Sequence, residues 1–79
     1  MTKEKQQVAN CIAHIISEAR MHKNYSRYEL SKRTGIHTSQ IIRIERGENI
    51  PRVDTLMKIF DELSLQVRIT QPDLIYICK

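Results

Sequence analysis

The chain has little that breaks helices and little that cross-links: two glycines, two prolines and two cysteines among 79 residues. Both prolines stand outside the strongest periodic runs, so the scarcity favours helices. Cys11 and Cys78 are far apart, which argues against a disulfide framework and for reduced thiols in a cytoplasmic protein. No apolar run reaches the length of about 18 residues that a membrane span requires. The opening MTKEKQQ is polar, so neither a span nor a signal peptide is expected. There is no nucleophile–base set and no phosphate-cradling glycine loop, and no enzymatic activity is expected. Cys11 and His14 form a C-x-x-H with His22 nearby. A zinc site closes with four ligands, and the sequence does not assemble them. A core cysteine and surface histidines are expected, with no metal or other cofactor.

What is present fits one small domain. Apolar residues make up 41% and charged residues 28%, a globular composition. A chain of this size buries only about 60–65% of its unfolded surface, so a monomer is marginal and dimerisation would help. The net charge of +4 is unevenly placed. Residues 20–52 hold eight basic residues against three acidic ones, +5, which leaves −1 for the rest. A basic middle segment is the pattern of a surface that faces phosphates.

Between residues 7 and 19, Val8, Cys11, Ile12, Ile15 and Ala19 recur at helical spacing, with Ile16 widening the stripe, and predict a first helix. A second helix has a full start signal. Ser26 can cap it, Glu29 stands three residues on for a capping box, and Tyr25 with Leu30 has the spacing of a hydrophobic staple. It should end near Arg33 or Thr34, where Gly35 supplies a left-handed turn. The small Ser31 inside it allows another helix to cross closely. A third helix should run from about Thr38 to Arg46, with Ile41 and Ile44 inward, and Gly47 should end it. After the loop ENIPR, a fourth helix buries Val53, Leu56, Ile59, Phe60 and Leu63, with Met57 flanking. The period then changes. Leu65, Val67 and Ile69 alternate with Gln66, Arg68 and Thr70, the signature of a half-buried strand. Pro72 and Asp73 suit a type I turn, and the apolar LIYIC of 74–78 requires a partner.

Two short helices joined by a glycine turn suggest a helix-turn-helix. The residues YSRYELSKRTGIHTSQIIRIERG, followed by P-x-V-D-T-L-M-K-I-F-D-E-L, resemble the phage Cro and repressor family, also called the XRE family, over about residues 8–64. The resemblance implies a mainly α, four-helix Cro/repressor-like domain that binds double-stranded DNA. A major groove admits one α-helix, whose N-terminal side chains read the base edges. Thr38, Ser39 and Gln40 stand at that end of the third helix and Arg43 one turn on. Gln can pair with adenine, Arg with guanine, and Thr or Ser with several edges. By family analogy Thr38, Ser39 and Arg43 are base readers, while Gln40 reaches a base or a phosphate.

The same resemblance assigns backbone contacts to Arg27, His37, Arg46, Asn49 and Arg52. Arg27 replaces a glutamine common in the family and suits a phosphate clamp beside the start of the second helix. Arg52 follows the loop proline, Pro51, as in relatives where an arginine approaches the minor groove. Family repressors also pair an acid at the position of Glu45 with an arginine late in helix one, which implies an Arg20–Glu45 ion pair. There are departures. Ile42 occupies a usually polar position, His37 is an indifferent N-cap, and Arg52 stands where a capping serine is common.

The end of the chain separates it from most phage repressors, which continue into a fifth helix. LMKIFDELSLQVRIT is similar to the end of HipB-type antitoxins, whose last helix runs into a strand that pairs across a dimer axis. The expected organisation is residues 1–64 as the DNA-binding domain and 65–79 as a strand segment for dimerisation or partner binding, with Leu65, Val67 and Ile69 as the dimer strand. A two-fold dimer would present two reading helices to a palindromic operator. The resemblance implies a repressor that is the antitoxin of a HipBA-like operon and binds a HipA-like kinase toxin. A stand-alone phage-type repressor or restriction-modification controller is the alternative.

Overall fold

The computed structural model describes residues 2–66 of the chain. Among them are four helices and no strand: α1 Lys3–His22, α2 Arg27–Thr34, α3 Thr38–Glu45 and α4 Val53–Glu62. No helix among the described residues is long and apolar enough to cross a membrane.

Six of the eight helix ends have a local chemical cause. Thr2 caps α1 by accepting from the Lys5 N–H at 3.2 Å, so α1 begins a turn before the apolar stripe that marks it in the sequence. At its other end Asn24 takes φ +60°, and the N–H groups of Asn24 and Tyr25 return to the carbonyls of Met21 and Arg20. That is a Schellman motif, which satisfies two otherwise orphaned carbonyls. Ser26 caps α2 through the Glu29 N–H at 2.9 Å, while the Glu29 carboxylate is engaged by Arg33 at 2.9 Å. Gly35, at φ +78°, ends α2 with its N–H on Ser31 O. Gly47, at φ +72°, closes α3 with a second Schellman pair, Gly47 to Ile44 and Glu48 to Arg43. Ser64, at φ +59°, closes α4 likewise, with Leu65 N–H on Phe60 O.

The core is one cluster. Ile12 and Ile16 of α1, Leu30 of α2, Ile36 of the turn, Ile41 and Ile44 of α3, and Ile59, Phe60 and Leu63 at α4 are all buried. Six of these side chains are fully enclosed aliphatics, Ile12, Ile16, Leu30, Ile41, Ile44 and Ile59, each contributing about 1.5–3 kcal/mol by leaving water. Ile15, Ala19, Tyr25, Leu56 and Leu65 pack on its rim. α3 lies against both α1 and α2, and α4 against α2.

Three core expectations change. Val8 is exposed, and the centre of the α1 stripe is instead Ala9, Ile12, Ala13 and Ile16. Val53, at the first position of α4, is 75% exposed because the helix meets the core only further on, at Ile59 and Phe60. Leu65 belongs to the α4 cap and packs on the core; Val67 and Ile69, with the rest of the expected strand and the LIYIC segment, lie outside the described residues. Cys11 is half-buried on α1, and Cys78 lies outside the described residues, as does the expectation of reduced thiols. His14 and His22 border an open groove of about 660 Å³ with Ile15, Ala19, Leu63 and Leu65, and among the described residues no three His, Cys, Asp or Glu side chains could hold a metal ion.

Candidate nucleic-acid interface

The position of α3 is fixed from three sides. Ile41 and Ile44 anchor its inner face in the core. The turn that leads into it is braced by side chains: Ser31 donates from its hydroxyl to Ile36 O, and Thr34 Oγ1 donates to Leu30 O at 2.8 Å while accepting from Ile36 N–H at 3.2 Å. Its far end is clamped to α1, where Gln6 Nε2 donates to both Gly47 O and Asn10 Oδ1, each at 2.9 Å. The clamp crowds Gly47, whose missing Cβ would come within 2.6 Å of Asn10 Oδ1, so that this exposed side chain would have to turn aside and give up its bond to Gln6. A residue other than glycine would meet both that contact and an unfavourable φ.

Glu45, the last residue of α3, forms a polar node. Its side chain is wholly shielded from solvent, and only its backbone at the helix end is open. Oε2 accepts from Arg20 Nε at 2.8 Å; Oε1 accepts from a terminal Arg20 nitrogen at 3.1 Å, Ser17 Oγ at 2.9 Å and Arg27 Nε at 3.1 Å. The third Arg20 nitrogen donates to Tyr25 O at 2.8 Å, so that guanidinium also closes the α1 terminus. Burial pushes the Glu45 carboxyl upward, but hydrogen bonds from Arg20, Arg27 and Ser17, with the charge of Arg20, outweigh it and hold the group below its ordinary range. A buried charge persists only when paired and bonded in this way.

With these contacts made, the opposite side of α3 is open. Ser39 and Arg43 are exposed, four residues apart and so on one face; Arg46 follows three residues later. Thr38 and Ile42 flank that face on one side, and Gln40 lies about a third of a turn from Ser39 on the other; all three are half-buried. The structure thus gathers Thr38, Ser39, Arg43 and Arg46 with Ile42, and sets Gln40 at the margin. His37 is the exposed residue before α3 and makes no capping bond with its side chain. Arg52 is 86% exposed beside Asp54 at 3.5 Å. Asn49 differs from the other loop residues, because its Oδ1 is buried and has no hydrogen-bond partner among the described residues.

The exposed arginines are loosely held. Arg43 and Arg46 each lie near Glu48, at 3.8 and 3.7 Å, and ion pairs this open add little to stability. They can exchange Glu48 for a phosphate or base edge at low cost. The basic residues of α2 are occupied differently. Arg33 stacks over Tyr25 at 4.5 Å and bonds Glu29, with Glu62 at 3.7 Å; Lys32 stands over Tyr28 at 5.6 Å.

Several contacts that orient α3 are not readable from the sequence. Gln6, Asn10, Ser17 and the hydroxyls of Ser31 and Thr34 are ordinary surface types without hydrophobic period. The only signal is the four-residue spacing of Gln6 and Asn10, which puts them on one side of α1.

A family model described as helix-turn-helix matches residues 16–68, more than half of the chain. The match takes in the last third of α1, all of α2 and α3, and α4. No curated protein matches the chain.

Proposed function

The chain belongs to the XRE helix-turn-helix family, and from that premise we propose that it is a dimeric, sequence-specific DNA-binding repressor. The observation that carries this reading is the open face of α3, where Ser39 and Arg43 project from a helix whose other sides are locked by the core, the Gln6 clamp and the Glu45 node. α3 enters the major groove N-terminus first. Thr38, Ser39 and Arg43 read base edges, with Gln40 reaching from the margin, and Arg43 can engage guanine through two nitrogens at once. Arg27, Arg46 and Arg52, with His37 and Asn49, meet the sugar-phosphate backbone and set the register.

The finer assignment is an antitoxin that represses its own operon and binds a HipA-like kinase toxin. Its support is the similarity of residues 56–70 to the end of HipB-type antitoxins, together with the need of the apolar LIYIC run at 74–78 for a partner. In this reading residues 1–64 hold DNA and the segment after them joins two copies, so that two α3 helices meet a palindromic site. The test is a fluorescence titration against DNA from just upstream of the protein's own gene, repeated with the neighbouring gene product. Specific binding that the neighbour tightens supports the antitoxin. Binding indifferent to the neighbour identifies a stand-alone repressor or restriction-modification controller. No binding even at low salt refutes the DNA-binding reading.

A further inference from the structure

Among the described residues four arginines face solvent on this side, and of these Arg27 is the one held by a buried group. Arg43, Arg46 and Arg52 stand beside exposed carboxylates. Arg27, the first residue of α2, is 45% exposed, yet its Nε rests on the fully shielded Oε1 of Glu45, the last residue of α3. The contact therefore spans the two helices of the motif. Its charges do not cancel: one carboxylate faces two guanidinium groups. Arg20 is 12% exposed and has all three nitrogens bonded, two kinds of contact to Glu45 and one to Tyr25 O. The surplus positive charge thus sits on Arg27, at the solvent edge, where only Nε is engaged.

We propose that Glu45 is a positioning residue for DNA binding: it holds Arg27 by Nε so that the terminal nitrogens of the guanidinium meet one backbone phosphate. A guanidinium suits this double task because its planar fork can bond an acid on one edge and a phosphate on another; an ammonium has no such second edge. One carboxylate then sets both the α2 phosphate clamp and the end of the α3 reading helix, so the two dock in a fixed relation. The inference rests on the reading that Arg27 meets DNA, and deepens it.

The test is a double-mutant cycle of wild type, Glu45→Gln, Arg27→Gln and the double variant. Each is titrated on a random-sequence duplex at several salt concentrations, at a temperature where circular dichroism shows it folded. Glu45→Gln should weaken binding about tenfold while Arg27 is present, the scale of one charge-assisted hydrogen bond. It should have no further effect once Arg27 is glutamine, and the log–log salt slope should fall by about 0.9 in both single variants. Equal losses in the two Arg27 backgrounds overturn the proposal in favour of a purely structural acid. Tighter binding by Glu45→Gln overturns it in favour of an acid that competes with phosphate. Wild-type binding with Arg27→Gln unaffected refutes the phosphate role of Arg27, whereas a wild type that binds no DNA refutes the functional reading itself. Should Glu45→Gln not fold, Arg27→Lys decides: it keeps the charge but should lose about fivefold in affinity, and wild-type affinity would overturn the proposal.

Discussion

Replacing Glu45 by glutamine should cost the domain a large part of its stability, and the structure sets the size. The carboxylate is fully shielded and accepts from Arg20, Arg27 and Ser17. Glutamine keeps the shape and one acceptor oxygen but removes the charge, leaving Arg20 almost buried without a counterion. Breaking a buried pair costs about 3–5 kcal/mol; the retained acceptor and the slight exposure of Arg20 reduce this to about 2–4 kcal/mol. A domain of this length is stable by only roughly 4–12 kcal/mol. With about 4–8 °C of Tm per kcal/mol at this size, the melting temperature should fall by roughly 8–32 °C.

The pH dependence supplies a second readout. Because the folded Glu45 carboxyl lies below its ordinary value of 4.5, the folded state binds the proton less readily than the unfolded chain does. The stabilisation is therefore full above the unfolded value and is lost as pH falls through the folded one. The Tm gap between wild type and Glu45→Gln should be constant near neutrality and close progressively in acid below 4.5. Circular dichroism melts of both proteins from neutral pH into acid measure it. A gap under about 3 °C at neutral pH, against the several degrees expected per kcal/mol, would refute the account of the node, as would a gap that stays constant through the acid range.

Arg43→Ala should cost about 1–3 kcal/mol of specific binding and relax preference at one base pair, measured by competition between operator and random DNA; equal losses on both would show that Arg43 does not read bases. Gly47→Ala should destabilise more than Gly35→Ala. Both take a positive φ, worth about 1 kcal/mol, but only at Gly47 does a Cβ strike Asn10, and Asn10→Ala should recover part of that excess in a thermal melt. Removal of residues 67–79 should leave the helical domain folded, because the described core ends at Leu65, while lowering dimer affinity in sedimentation equilibrium. A truncated protein that stays a tight dimer would place the interface on the helices.

The helices were readable where hydrophobic period and capping chemistry agree. α2 is the clearest case: Ser26 and Gly35 bracket it in the sequence and in the structure. The phase of α1 was harder, because Ala9 and Ala13 carry little hydrophobic signal yet sit at the centre of its buried face, while the stronger signal of Val8 points outward. Its first turn, Lys3 to Lys5, has no apolar residue to mark it, and Thr2 alone gives the start. On the site side, the exposed α3 residues follow directly from the inward phase of Ile41 and Ile44. The Arg20–Glu45 contact was accessible through the family pattern, but the attachment of Arg27 to the same carboxylate was not. It depends on α2 and α3 crossing so that residues 18 positions apart come within 3.1 Å, and no local period encodes that distance.

The same crossing explains why net charge alone understates how localised the interface is. Of the eight basic residues in 20–52, Arg20 is committed to the interior, Arg33 to Tyr25, Glu29 and Glu62, and Lys32 to the face of Tyr28. Lys23 borders the groove at the end of α1. The exposed cations of this segment without an aromatic partner are Arg27, Arg43, Arg46 and Arg52, all at the start of α2, along α3 or in the loop that follows. A polyanion approaching that side meets cations whose present partners are one shared carboxylate and two exposed acids, Glu48 and Asp54. It can displace the exposed acids by exchange. It cannot displace Glu45, which is out of reach of solvent, so contact with Arg27 must be made in addition to that ion pair. In the proposed reading, the buried acid keeps the helices in register while their outward charges change partner, so that a small domain would bind without rebuilding its own core.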